Sequence, residues 1–453
     1  MNIIIVGYGK IGEKLTERLS QDEGLNITVV DTCEEVIRDA VNEYDVMGVI
    51  GSGTDIETLD EAGIEDADIL IAATSSDELN LLICLIAKKH GNCNTIARVR
   101  NPEYSKSVSL FKEDLGLAMI INPELTAAVE IARALRFPSA IQIDTFAKGR
   151  VEILKFKIDE DSPLDNLKVS ELSTKLDCDV LVCGVERDDE AFIPDGSFVM
   201  KSGDFISIVS SLKSSIDFLK QIGVKTNGVK DTIIVGGGTT AYYLAKILIK
   251  TGVSVKIIEQ DAKRCDTLCS LLPQATIIHG DGTNNRVLLE EGIVYAQSVV
   301  ALTNIDEENV MLSLFAKSQT DAKLITKINR IAYDEVIGNL ELGTIIYPKN
   351  ITAEYIERFV RAKKNSLGSA SIETMHLILD GKAEALEFKI GKNSPISDIP
   401  LQDLNLKKNV LIACINRDGK FIVPRGKDTI REGDSVVVVT TQKGSKDISD
   451  ILE

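Results

Sequence analysis

Tryptophan is absent from this chain, aromatic residues make up only 5% of it, and it has three histidines. So few aromatics weaken the case for a base-stacking nucleic-acid surface. Three histidines (His90, His279 and His376) and no CxxC pair leave little from which to build a metal centre, and no metal is expected. The eight cysteines follow no regular framework, and in a cytosolic chain most such residues are small buried hydrophobes. Cys265 and Cys269 fall one helical turn apart, but two thiolates without nearby histidines make a poor zinc site. The longest apolar run, LLICLIA (81–87), is far shorter than the ~20 residues needed to span a bilayer, so direct membrane insertion is not expected. Positive charge is in deficit too. A net charge of −18 disfavours DNA, RNA or anionic lipid through the general field of the protein. The N-terminus enters a strand pattern with no charged n-region and leader, which fits a cytoplasmic location. The pattern G-x-x-x-x-G-K-[ST] is also missing, so ATP hydrolysis would lack its usual cradle and lysine.

What the chain does contain, it contains twice. IIIVGYGKIG (3–12) opens the first half and IIVGGGTTA (233–241) the second. With Gly7 set on Gly236, Gly51 falls on Gly280, Gly63 on Gly292 and Thr74 on Thr303. Asp77 then falls on Asp306, Asn80 on Asn309 and Tyr104 on Tyr333. A second kind of unit repeats as well: EILKFKIDEDSPL (152–164) matches EALEFKIGKNSPI (384–396), and Pro194, Gly203 and Asp204 match Pro424, Gly433 and Asp434. The expected organisation is A–B–A–B, with Rossmann-like units at 1–139 and 230–366 and small modules at 140–224 and 370–453. The hydrophilic stretch KTNGVKD (225–231) links the halves.

The larger units alternate strand and helix. Strand patterns at 3–7, 26–31, 45–54, 67–74, 94–100 and 115–123 are separated by amphipathic stretches. Repeated βαβ crossovers imply a doubly wound parallel sheet, the α/β class. ELTAAVEIARALRF (124–137) reads as one helix stopped by Pro138, and AEYIERFVRAKK (353–364) as its counterpart, followed by the soft stretch 365–371. Each either covers the sheet within one chain or packs between subunits. From 141 to about 222 short alternating strands with turns suggest a small α+β module.

In GYGKIG, the residues Gly7, Tyr8, Gly9, Lys10, Ile11 and Gly12 follow a strand and precede a helical pattern. The first glycine permits the tight turn, the second lets a phosphate approach the backbone, and the third lets helix and strand pack closely. The helix N-terminus then offers free N–H groups to an anion. Asp31 ends the second strand, where a carboxylate accepts the ribose hydroxyls and repels a 2′-phosphate. NAD(H) or an adenine nucleotide is therefore favoured over NADP(H). The second copy offers Gly236, Gly237, Gly238, Thr239 and Thr240, with Ala241 in the third glycine place and Glu259 in the place of Asp31. It is either a second site or a structural relic of duplication.

Further repeated elements fall at the carboxyl ends of the strands, where such sheets bind ligands. GSGT, with Gly53 and Thr54, matches GDGT, with Gly282 and Thr283, and Ser52 stands where the second copy has Asp281. Thr74, Ser75 and Ser76, matched by Thr303 and its neighbours, either bond phosphate or ribose or cap the following helix. Arg98 and Arg100 are replaced by Lys327 and Asn329 in the second copy. Arg98 suits a polyphosphate; Arg100 does too, or forms a surface salt bridge. His279 lies beside GDGT, where strand-end packing suits it. No catalytic constellation is apparent, and binding without chemistry fits the chain.

Duplicated GxGxxG units, each with a ribose acid, a G-x-G-T turn and T-x-x-D-E-x-N, each followed by a small α+β module, resemble the TrkA family. The resemblance covers nearly the whole chain. It implies a cytosolic regulatory subunit of Trk/Ktr potassium uptake systems, built from RCK (regulator of K⁺ conductance) N and C domains. NAD(H) and ATP or ADP are the implied ligands, and a potassium-transporting membrane subunit the implied partner. By motif, Gly7 to Gly12, Asp31, Gly53, Thr54, Thr74, Ser75 and Arg98 would form the first site. Gly236 to Thr240, Glu259, Gly282, Thr283 and Thr303 would form the second. A homotetramer docked on the cytosolic face of the membrane is expected. The alternatives are an NAD-dependent oxidoreductase, or a regulator that senses a cyclic dinucleotide through its small modules.

Overall fold

The opening apolar run, without polar alternation, becomes the central strand of a parallel sheet, with Ile3, Ile4, Ile5 and Val6 all buried. The structure, a computed structural model, describes all residues except 23, 92, 105–114, 137–141, 147–150, 177–178, 189, 224–227, 331–339, 341, 367–371, 380–381, 393, 443–444 and 446. Phe137, Pro138, Cys178, Tyr333, residues 225–227 of the linker and 367–371 of the soft stretch lie outside the described residues.

The first copy comprises β1 (Asn2–Val6), α1 (Lys10–Leu19), β2 (Asn26–Asp31), α2 (Glu34–Glu43), β3 (Met47–Ile50) and α3 (Ile56–Glu61). It continues through β4 (Ile69–Ala72), α4 (Asp77–His90), β5 (Asn94–Arg98), β6 (Leu117–Ile121) and α5 (Pro123–Arg136). The strand order is β3-β2-β1-β4-β5-β6, every pair parallel. The order reverses between β1 and β4, which opens a crevice at their carboxyl ends. The first small module follows with β7 (Gln142–Phe146), β8 (Val151–Lys157), β9 (Val180–Arg187), β10 (Glu190–Phe192), β11 (Phe205–Ser210) and α6 (Leu212–Gln221). Its antiparallel sheet runs β10-β9-β11-β8-β7.

The second half repeats both layouts. Its Rossmann-like sheet is β14 (Thr276–His279), β13 (Ser254–Glu259), β12 (Asp231–Val235), β15 (Ser298–Ala301), β16 (Lys323–Lys327) and β17 (Thr344–Ile346), in that order. The helices are α7 (Thr239–Lys250), α8 (Ala262–Leu271), α9 (Asn285–Glu290), α10 (Asp306–Gln319) and α11 (Pro348–Ser366). The second module's sheet is β18 (Ile372–Ile378), β19 (Ala383–Lys389), β22 (Ser435–Thr440), β20 (Val410–Arg417) and β21 (Lys420–Ile422). Both long helices start at a proline, α5 at Pro123 and α11 at Pro348, ahead of the expected Glu124 and Ala353. Proline suits the first helical position, where its missing N–H would have no partner anyway. Asn122 caps α5, its Oδ1 accepting the Leu125 N–H at 2.8 Å.

Like units coalesce. One compact unit is Met1–Arg136 with Val229–Glu357, and the other is Phe137–Gly228 with Arg358–Glu453. In the first, α5 covers the sheet of the other copy: Ala127, Ala128, Ile131 and Leu135 share one core with Ala241, Leu244, Leu248, Ile257, Val300 and Ile325. The Asn122 Nδ2 donates to the Tyr243 hydroxyl (3.0 Å), and Tyr355 donates to Glu130 (3.3 Å). Arg18 of α1 pairs with Glu357 of α11 at 2.9 Å. Within one chain α5 thus binds the two copies together.

In the second unit the two module sheets bury a common face. Ile153, Cys183 and Val209 pack with Ala385, Ala413, Cys414 and Val437, and Leu379 fills their middle. The repeated Asp204 and Asp434 are structural. Each is buried and grips an arginine with both oxygens, Arg187 at 2.7 and 2.7 Å and Arg417 at 3.0 and 2.8 Å.

Candidate functional site

The two glycine loops share one geometry. Gly7 and Gly236 sit at φ +95° and +97°, and a Cβ on either would come within 2.8 Å of backbone, the Thr74 nitrogen or the Leu302 oxygen respectively. Only glycine meets both demands. A Cβ on Gly12 would strike the Gly7 carbonyl, whereas the second copy accepts Ala241 there, fully buried. Gly9 and Gly238 differ in kind: extended backbone, and nothing within 4 Å of an added Cβ. The fold makes no use of their smallness, so the open space in front of them is available to a ligand. They are the N-cap residues of α1 and α7, neither helix having a side-chain cap. Their first N–H groups are thus left for an anion.

Asp31 and Glu259, the acids that end β2 and β13, also correspond. Asp31 accepts the Tyr8 N–H (2.7 Å) and the Cys33 N–H (3.0 Å), while Glu259 accepts the Gly237 N–H (2.6 Å) and the Asp261 N–H (2.8 Å). Each carboxylate braces the glycine loop and borders the same crevice. Asp31→Ala should weaken ADP or NADH binding by roughly 10- to 100-fold, the worth of a hydrogen bond to a charged group. Titration calorimetry reads this, and an unchanged affinity would remove Asp31 from the site.

The second position of each loop distinguishes the copies. Tyr8 is half-buried, and burial, then Tyr44, Glu13, Glu43 and Asp39, raise its hydroxyl far above its ordinary range. At Gly237 a Cβ would meet Leu268 at 2.7 Å and Glu259 at 2.9 Å.

In the second copy Gly236, Gly237, Gly238, Glu259, Gly282, Thr283 and Thr303 line one cleft of about 340 Å³. Thr240 is buried and Thr239 faces a different cavity. In the first copy Lys10 is exposed at the start of α1, but Ile11 turns inward and is 8% exposed, leaving only its backbone available to a ligand. Gly53 is buried where a Cβ would collide with Val6, so it serves the turn, and Thr54 is half-exposed. Ser52 and Asp281 hold the turn in the same way, although only Asp281 brings a carboxylate to the cleft. The Ser52 hydroxyl bonds Thr54 Oγ1 at 2.8 Å, and the Asp281 carboxylate accepts Thr283 Oγ1 at 2.7 Å.

Among Thr74, Ser75 and Ser76, the capping alternative holds for Ser76, whose Oγ accepts the Leu79 N–H at 3.2 Å. The Thr74 hydroxyl donates inward to Asn80 Oδ1 at 2.7 Å. His279 reaches the Gln260 carbonyl at 3.1 Å, away from catalytic geometry.

The TrkA-N domain family matches residues 3–123 and 232–348, and the TrkA-C domain family matches 153–223 and 385–453. The chain belongs to the TrkA family. A Trk system potassium uptake protein TrkA homolog from Archaeoglobus fulgidus is 32% identical, over 97% of both chains. A homolog from Methanosarcina mazei is 31% identical over 99% of both. Among solved structures, the GsuK channel (TM-score 0.66) and the GsuK channel bound to NAD (0.65) each cover 98% of this chain and 77% of their own, at 16% identity. GsuK bound to ADP (TM-score 0.50, 15% identity) covers 80% of this chain and 69% of its own. At these identities the likeness is one of fold.

Three features of this TrkA-family chain escape sequence reasoning. Asn80 and Asn309, both fully buried, clamp the ends of two strands. Each accepts the Thr74 or Thr303 N–H (2.8 and 2.9 Å) and donates to the Arg98 or Lys327 carbonyl (2.9 Å in both). The repeat at Asn80 and Asn309 was the available signal. Arg264 lines the second cleft and donates to the Gly237 carbonyl at 2.7 Å, placing a cation there that a simple motif does not specify. Finally, Arg100 faces a cavity where the two copies meet. It donates to the Ser75 carbonyl (2.5 Å), stands 3.6 Å from Asp77, and shares a cavity of about 510 Å³ with Thr239 at the start of α7. The salt-bridge alternative thus describes Arg100 within its own copy, and its guanidinium borders the start of the other copy's α7. Arg98 lies under the strand-end turn, donating to the Thr74 carbonyl at 3.1 Å, and Lys327 does the same to Leu302 at 3.3 Å.

Proposed function

We infer that this TrkA-family chain is a cytosolic, nucleotide-sensing regulatory subunit of potassium uptake, binding NAD(H) and ATP or ADP in two clefts. The observation that carries the reading is the pair of loops whose middle glycines, Gly9 and Gly238, border empty space at an uncapped helix N-terminus. Asp31 and Glu259 stand at the ribose end of each. The names of the curated relatives and of the NAD- and ADP-bound GsuK structures support the same ligands and process. No helix among the described residues is long and apolar enough to cross a membrane, and the ion pathway is assigned to a separate Trk/Ktr-type membrane subunit. A homotetramer would bring eight Rossmann-like units together. Nucleotides gate the partner only by binding two assembly conformations with different affinity. Terms of ~1–3 kcal/mol per site, added over several sites, reach the ~5.5 kcal/mol that moves an equilibrium nearly completely.

An oxidoreductase needs a proton donor or acceptor at the cleft. Among the described residues that line the second cleft there is no histidine, lysine, tyrosine or cysteine. The two modules of one chain already share the apolar face of Ile153, Cys183 and Leu379. The test is potassium flux through vesicles carrying the membrane subunit, with the regulator added. Flux that changes at least threefold between ADP and ATP or NADH supports the reading. Flux indifferent to the regulator at every nucleotide contradicts it.

A further inference from the structure

Among its described lining residues the second cleft holds a single cation and no aromatic ring. Glu259, Asp261, Asp281 and Glu308 are acidic there, and Arg264 is basic. Despite those four carboxylates, Arg264 forms no ion pair among the described residues. Its Nε donates to the Gly237 carbonyl at 2.7 Å, and its two Nη groups have no partner among the described residues. The residue is half-buried. A charge drawn out of water is normally paired. This guanidinium is instead pinned to the glycine loop at one edge and otherwise left to the cleft it lines.

Its place along the cleft decides what it meets. Glu259 accepts the Gly237 N–H at 2.6 Å and Arg264 holds the carbonyl of the same residue, so acid and cation flank one residue of the loop. The phosphate end begins at the next residue, Gly238, the N-cap of α7. A ribose between the two ends would give its hydroxyls to Glu259, which repels a phosphate on the 2′ position. The part of a nucleotide left for Arg264 is therefore the base. A guanidinium is planar and weakly hydrated and stacks on flat π faces, and the cleft has no aromatic ring to do this instead. In the first copy the corresponding third residue of the helix after the acid is Val36, so this cation belongs to the second cleft alone.

We propose that Arg264 is a base-binding residue of the second cleft, its guanidinium stacking on the adenine ring of the nucleotide bound there. The Gly237 carbonyl holds the guanidinium in place before the ligand arrives, so little side-chain freedom is lost on binding. This inference rests on the nucleotide-binding reading above and names the group that holds the base in one of its two clefts.

The test is calorimetric titration of the full-length protein carrying Gly9→Val, a neutral side chain that fills the space before the first loop so that the second cleft is read alone. In that background Arg264→Gln should weaken AMP, ADP and ATP by the same factor, about tenfold, as expected for the loss of one base-stacking group. Arg264→Lys keeps the charge and can still reach the Gly237 carbonyl, but it lacks the plane, and it should not recover the lost affinity. A loss that climbs with each added phosphate would make Arg264 a phosphate ligand. Recovery with lysine would make it a brace for the loop, and an unchanged affinity in Arg264→Gln would take it out of the site. Each of these three results overturns the proposal. If Gly9→Val with Arg264 intact binds no adenine nucleotide, the nucleotide reading of the second cleft fails and the inference with it, whereas binding that ignores Arg264 overturns the inference alone.

Discussion

Gly9→Asp should abolish nucleotide binding in the first cleft while leaving the chain folded. The substitution adds a side chain into space where nothing lies within 4 Å, at ordinary extended φ and ψ (−79° and −172°). The folded state has nothing to lose, and a stability change within about 0.5 kcal/mol is expected, as for other substitutions that touch no packed group. For the ligand the change is severe, because a carboxylate would stand at the uncapped N-terminus of α1, where a phosphate must sit. Like charges so placed cost several kcal/mol, so binding should weaken by more than about 100-fold. Calorimetry gives the affinity and chemical denaturation the stability. Retained affinity would place the ligand elsewhere, and a collapsed denaturation midpoint would show that the fold itself requires Gly9.

The second large effect concerns stability. Asn80→Ala should destabilise the first Rossmann-like unit by about 3–5 kcal/mol, because it orphans several buried backbone groups at about 1–3 kcal/mol each. The Asn80 side chain receives the Thr74 N–H at 2.8 Å and donates to the Thr74 and Arg98 carbonyls at 3.3 and 2.9 Å. It is 0% exposed, so water does not replace these bonds. Asn309→Ala should act alike on the second unit, where Thr303 and Lys327 take the same parts. A lowered urea midpoint measures either loss. A loss under about 1 kcal/mol would contradict the view that this asparagine ties the ends of β4 and β5 (or β15 and β16) together.

Local chemistry with a fixed spacing was legible in the sequence. The duplication shows as a fixed offset between matching residues, the glycine at positive φ before α1 and the acid ending β2 follow from what the backbone must do at a strand-to-helix turn, and the doubly wound parallel sheet follows from alternating βαβ units. Longer-range facts were not legible. The apolar stripe of 124–137 marks α5 as half-buried, but periodicity cannot say that its cover is the other copy's sheet around Ile257 and Val300. Arg100 read as either a first-site polyphosphate ligand or a surface salt bridge because it ends the β5 pattern. Its true neighbour, Thr239, is distant in sequence, and only the packing of the copies brings them to one cavity. The replacements of Arg98, Arg100 and Ser52 in the second copy therefore separate the clefts less than they do in the sequence. Arg98 and Lys327 each donate to a carbonyl at the end of the neighbouring strand, Ser52 and Asp281 each bond the threonine two residues on, although only Asp281 is an acid, and the second cleft has its own cation in Arg264.

The most direct measurement of the central claim is the number of nucleotides one full-length chain binds at saturation, with ADP and NADH supplied together. Two working clefts predict two nucleotides per chain, falling to one in Gly9→Asp, to one in Gly238→Asp and to none in the double variant. A stoichiometry of one in the unaltered chain that is lost only in Gly9→Asp would make the second copy a relic of duplication. Two nucleotides retained in the double variant would place the binding sites away from the glycine loops altogether.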